Sequence, residues 1–66
     1  MADLHPGVTA FLPFARYSPG AARLTALALN DFAKDCMRPD HDRSYCASIA
    51  ASLDQAIEVV KGEKHD

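Results

Sequence analysis

Apolar and polar positions alternate along this chain in two long stretches of helical period, preceded by a shorter stretch of a different character. In residues 42–61 the apolar positions Cys46, Ile49, Leu53, Ala56 and Val60 recur at intervals of three and four, with Ala50 and Ile57 flanking them. That stripe is what a helix shows when it packs along its length against another helix. Arg43, Asp54, Glu58 and Lys61 fall on the other side and are expected to face solvent. Asp40 or Asp42 supplies an N-cap, and Gly62 is the natural stop.

A second periodic stretch spans residues 19–37. At 100° per residue Ala22, Thr25, Ala26, Leu29, Phe32, Ala33 and Cys36 share one face, which pairs with the seam of the later helix. Ser18 is placed to cap this helix, and Pro19 suits its first position, where a missing N–H costs nothing. Arg38-Pro39 ends it, because the residue before proline is pushed out of the helical region. Leu24 and Leu27 fall off the apolar face, on the side of Asp31, Lys34 and Arg38, and mark a second packing partner. Two helices joined by so short a turn are expected to lie antiparallel as a hairpin.

The first eighteen residues read differently. Val8-Thr-Ala-Phe-Leu12 has the composition of a short strand, bounded by Pro6-Gly7 and Pro13. Pro13 restricts it to an edge or an extended segment. The expected architecture is therefore one all-α domain. It comprises an extended apolar arm over 1–18, helices over 19–37 and 42–61, and a polar tail over 62–66. One helix–helix interface is a thin core for a chain of 66 residues. Pairing two hairpins into a four-helix bundle would bury Leu24, Leu27 and the small residues Ala47 and Ala51, so a homodimer is expected. Leu29, Phe32, Cys46, Ile49, Leu53, Ala56 and Val60 are assigned to the core and dimer seam.

Composition narrows the function classes. Hydrophobic residues make up 48% and charged residues 24%, a globular balance. Nine acids against seven scattered bases give a net charge of −2, a poor footprint for nucleic acid. The N-terminus MADLHPG has no basic and apolar run of a secretory leader, and no stretch has the length of a membrane span. The expectation is a cytoplasmic protein with no membrane partner.

Candidate chemistry is sparse. Cys36 and Cys46 are expected near the two helix ends that meet at the turn, on inward faces. Two small core residues, a disulfide stapling the hairpin, or ligands of a metal are the open readings. Cys36, His41 and Cys46 are spaced C-x4-H-x4-C, with Asp40, Asp42 and His5 near, which is not a usual zinc spacing. Asp-His-Asp reads as turn and cap. Ser44, Ser48 and Ser52 repeat every four residues without an identifiable base, and three glycines make no phosphate loop. No catalytic residue, metal, cofactor or small-molecule substrate is assigned, and the chain is expected not to be an enzyme. A DNA-reading helix–turn–helix usually has a glycine turn and a basic second helix, whereas here the second helix exposes Asp54 and Glu58.

The order of features (a Phe-x-x-Phe step in the arm, Ser18-Pro-Gly20, an Ala/Leu helix, then SYCASIAASLDQAIEVVKG) resembles short pseudomonad proteins. Its size and layout are similar to small phage-encoded anti-activators. That resemblance implies a dimeric helical protein that binds and disables a host protein, such as a quorum-sensing transcription activator or a pilus assembly ATPase, in the host cytoplasm. Phe11, Phe14, Arg16 and Tyr17 in the arm, with Leu24 and Leu27, are the candidate partner-binding residues, since aromatics and arginine supply most interface energy. The alternatives are a small DNA-associated transcriptional regulator, or a metal- or redox-responsive hairpin using Cys36 and Cys46.

Overall fold

The computed structural model describes residues 5–63, which form three helices: α1 (Pro6–Tyr17), α2 (Pro19–Lys34) and α3 (Asp40–Gly62). The protein is all-α, and no strand occurs among the described residues. The expected extended arm is corrected: its described part is α1, a helix of 12 residues. Arm residues 1–4 and tail residues 64–66 lie outside the described residues.

The helix forms because its apolar spacing outweighs its prolines. Val8, Phe11, Leu12 and Ala15 recur at i, i+3, i+4 and i+7, a helical stripe. Pro6 occupies the first helical turn, and the His5 ring caps it by accepting from the Gly7 N–H at 3.0 Å. Pro13 sits inside the helix and removes the N–H that would have bonded the Thr9 carbonyl. Pro13 is exposed, so water can serve that carbonyl instead.

Ser18 ends one helix and starts the next. Its N–H donates to the Phe14 carbonyl (2.9 Å), and its hydroxyl accepts from the Ala21 N–H (3.4 Å). The expected cap and the Pro19 start of α2 are therefore present. The other boundary moves. α2 stops at Lys34 rather than at Arg38-Pro39, because the Asp35 carboxylate takes the Met37 N–H at 3.0 Å and turns the chain early. Cys36 thus lies in the turn and not on the inner face of a helix. α3 begins at Asp40, with Pro39 as N-cap and no side-chain cap hydrogen bond. Asp40 and Asp42 instead occupy its first turn, where carboxylates suit the positive end of the helix dipole.

α3, at 23 residues, packs against both other helices. The first turn of α1 meets it at Ser52, where the Gly7 position allows close approach. A Cβ there would come within 3.1 Å of the Ser52 Oγ. The last turn of α1 meets it at Glu63 through Arg16. α1 and α3 therefore run the same way, with α1 beside the second half of α3 only. At the opposite end Arg43, in the first turn of α3, donates from Nε to the Ala33 carbonyl (3.1 Å) and pairs with Asp40 (2.9 Å). Arg43, expected on the exposed side, is half-buried by that contact.

One apolar cluster joins the three helices: Val8 and Ala15, Ala22 and Ala26, then Leu53, Ala56 and Ile57. Phe11, Leu12, Phe14, Leu29 and Val60 pack on its rim. The only large side chains sealed completely among the described residues are Leu53 and Val8.

Candidate interaction surface

Several large apolar side chains lie outside that core. Tyr17 is 91% exposed, Leu24 69% and Leu27 52%. Each position follows from its helix. Tyr17 ends α1 on the side away from Val8 and Ala15. Leu24 and Leu27 sit on α2 opposite the buried Ala22 and Ala26. The inner face of α2 carries Ala22 and Ala26 with Leu29 beside them, and Leu24 and Leu27 fall outward.

The remaining proposed contact residues are placed otherwise. Phe11 and Phe14 are half-buried and pack against the core. Arg16 reaches across to Glu63 through a two-pronged contact, Nε to the two carboxylate oxygens at 3.1 and 3.2 Å and Nη2 to Oε2 at 2.5 Å. The hydrogen bond and charge of Glu63 raise the Arg16 guanidinium above its ordinary pKa, so it stays a cation. This fork ties the end of α1 to the end of α3 while leaving half of the Arg16 side chain in solvent.

Leu53 and Ala56 are fully buried, as are Ala50 and Ile57 beside them; Leu29 and Val60 are half-buried on the core's rim. Phe32, Cys46 and Ile49 are half-buried without joining the main cluster. The Arg38 guanidinium lies over the Phe32 ring, 5.2 Å from its centroid, and pairs with Asp35 at 3.3 Å. Thr25, expected on the inner face, is exposed, and its hydroxyl donates to the Ala21 carbonyl (2.8 Å).

Sequence reasoning missed two further exposed residues: Met37 at 88% in the turn and Tyr45 at 63% on α3. Tyr45 could have been found, since it lies four before Ile49 on the same helix.

The cysteines are not brought together as a staple. Both are free thiols, Cys36 exposed and Cys46 half-buried, which corrects the expectation that both point inward. Among the described residues no three His, Cys, Asp or Glu side chains converge on a metal position, so Cys36, His41 and Cys46 do not assemble a site. No pocket is present among the described residues, and none of their helices is long and apolar enough to cross a membrane. Comparison with known families, curated proteins and solved structures finds no match to this chain.

Proposed function

We propose that the protein is a small non-enzymatic interaction module that binds and inhibits or modulates a bacterial regulator or machine, working as a homodimer in the cytoplasm. The class of target is that of the anti-activators its layout resembles: a quorum-sensing transcription activator or a pilus assembly ATPase. In this reading α2 and α3 form an antiparallel hairpin, and two hairpins pair as a four-helix bundle. The Arg43–Ala33 contact at one end and the shared cluster of Ala22, Ala26, Leu53, Ala56 and Ile57 support the hairpin.

One observation carries the reading. The chain fills its core mainly with alanines and leaves Tyr17, Leu24 and Leu27 in solvent. A protein under selection for its own stability alone gains by the reverse arrangement, because each large side chain buried contributes about 1.5–3 kcal/mol. Tyr17, Leu24 and Leu27 therefore form the proposed contact set, with Arg16 at its edge. Phe11 and Phe14 serve as the support beneath it.

The test is capture from a bacterial lysate on immobilised protein, comparing the native chain with a Tyr17→Ser/Leu24→Ser/Leu27→Ser variant. The expected result is a retained protein that the variant releases while its helix content is unchanged. Equal retention by both would remove these residues from the contact.

A further inference from the structure

α1 and α2 are separated by one residue, Ser18, and the helical hydrogen-bond ladder almost runs through it. The Ser18 N–H donates to the Phe14 carbonyl (2.9 Å), and the Ala22 N–H donates to the Ser18 carbonyl (3.0 Å). Both bonds span four residues, as in an unbroken α-helix. A continuous helix needs three more between them, from residues 19, 20 and 21 to the carbonyls of Ala15, Arg16 and Tyr17. Pro19 has no N–H, and in a straight helix its ring would crowd the Ala15 carbonyl. The Ala21 N–H is taken by the Ser18 hydroxyl (3.4 Å). Ser18 itself stands outside the helical region (φ −146°, ψ 84°), where the residue before a proline is driven.

Gly20 adds to the break without a spatial reason for it. Beyond its own turn of helix no atom lies within 4 Å of where its Cβ would stand, and its φ is not positive. Neither space nor backbone therefore requires glycine there. What glycine does at that position is weaken helix continuation, as proline does beside it. The flanking residues, Phe14-Ala-Arg-Tyr17 and Ala21-Ala-Arg-Leu24, hold no other breaker.

We infer that Pro19-Gly20 is an elbow that keeps α1 on its own copy of the chain. With the elbow removed, α1 and α2 run on as one helix and α1 is exchanged with a second copy. The inference takes the hairpin of α2 and α3 from the reading above and is independent of the target.

Direction decides where α1 goes. α1 and α3 run the same way, and α2 starts beside the end of α3 that Arg16 reaches. Bent at Ser18, α1 lies back along α3 and buries Val8 and Ala15 in the cluster with Leu53, Ala56 and Ile57. Straightened, residues 6–34 make a helix of about 43 Å, and α1 projects about 18 Å beyond that end of α3. There Val8, Phe11, Leu12 and Ala15 have no α3 of their own chain to meet. The seat left open on α3 fits the α1 of another copy, which brings Arg16 to Glu63 and Gly7 to Ser52. Exchange of an identical element rebuilds the contacts that straightening loses. It also gains helical bonds that the elbow omits. The native chain forgoes those bonds, and native copies that pair each keep their own α1.

The test is a mixed-label experiment on the native chain, Pro19→Ala and Pro19→Ala/Gly20→Ala. Equal amounts of isotope-labelled and unlabelled chain are unfolded together and refolded, and isotope-filtered NOEs report contacts between copies. Pro19 and Gly20 are both exposed, so the changes leave the core side chains in place. In the native protein Val8 and Ala15 are expected to contact α3 within one chain. In the double variant those contacts are expected between chains, with helix content by circular dichroism kept or raised. The single variant should show both kinds. A double variant that keeps α1 on its own α3 overturns the elbow, as does a native chain that already exchanges it. So does a double variant that loses helix, because straightening requires both helices. Native chains in which Ala22 and Ala26 make no contact with α3 overturn the hairpin and the elbow together. Target capture is measured separately on the Tyr17, Leu24 and Leu27 variant, so its failure is not confused with any of these outcomes.

Discussion

Pro13 is the residue that most changes how this chain is read. A proline between Leu12 and Phe14 argues against a helix on propensity alone, since it removes a backbone donor and its ring crowds the preceding turn. The helix forms regardless because Val8 and Ala15, either side of the proline, are both buried against the other helices. Pro13→Ala is expected to stabilise the protein by about 1–3 kcal/mol, because it returns the missing N–H to an exposed position. A thermal melt followed by circular dichroism measures this, and an unchanged midpoint would mean the segment is not held as a helix. Leu53 carries the opposite case. It is the largest side chain fully sealed in the core, and Leu53→Ala is expected to lose about 2–5 kcal/mol, enough to unfold most of so small a chain. By contrast Tyr17→Ser, at a side chain almost wholly in water, should leave the melt where it is.

At the scale of elements, α2 and α3 were legible in the sequence because their apolar residues recur at three and four over several turns. Ser18-Pro19 was legible as a helix start because its side-chain chemistry is local. α1 was not read, although Val8, Phe11, Leu12 and Ala15 carry a helical spacing, because Pro6-Gly7 and Pro13 look like the bounds of a strand. Boundaries set by competing side chains were missed as well: Asp35 turns the chain before Pro39 can, and that removes Cys36 from the inner face. The docking of α1 hangs on Gly7. A β-branched side chain there must displace Ser52 or lift the helix, since even a lone Cβ would approach Ser52 Oγ to 3.1 Å. Gly7→Val is expected to lower stability by about 1–3 kcal/mol. Combining it with Ser52→Gly should recover part of the loss. If the two changes simply add, the first turn of α1 does not lean on Ser52.

For the molecule as a whole, the site was partly readable from the chain. Leu24 and Leu27 stood out because they break the period of their own helix, and they are indeed outward. Phe11 and Phe14 did not declare themselves as core, because their role depends on α1 being a helix. Tyr45 was passed over although its place four before Ile49 was readable, because the apolar stripe of α3 was counted from Cys46. Among the described residues the core gathers around Leu53, Ala56 and Ile57, while Tyr45 is exposed and Phe32 and Ile49 are half-buried outside it. Amide hydrogen exchange measured residue by residue addresses this division most directly. Protection of residues 52–60 should be high. That of residues 40–49 and 27–34 should be low. Uniform protection along α3 would contradict it.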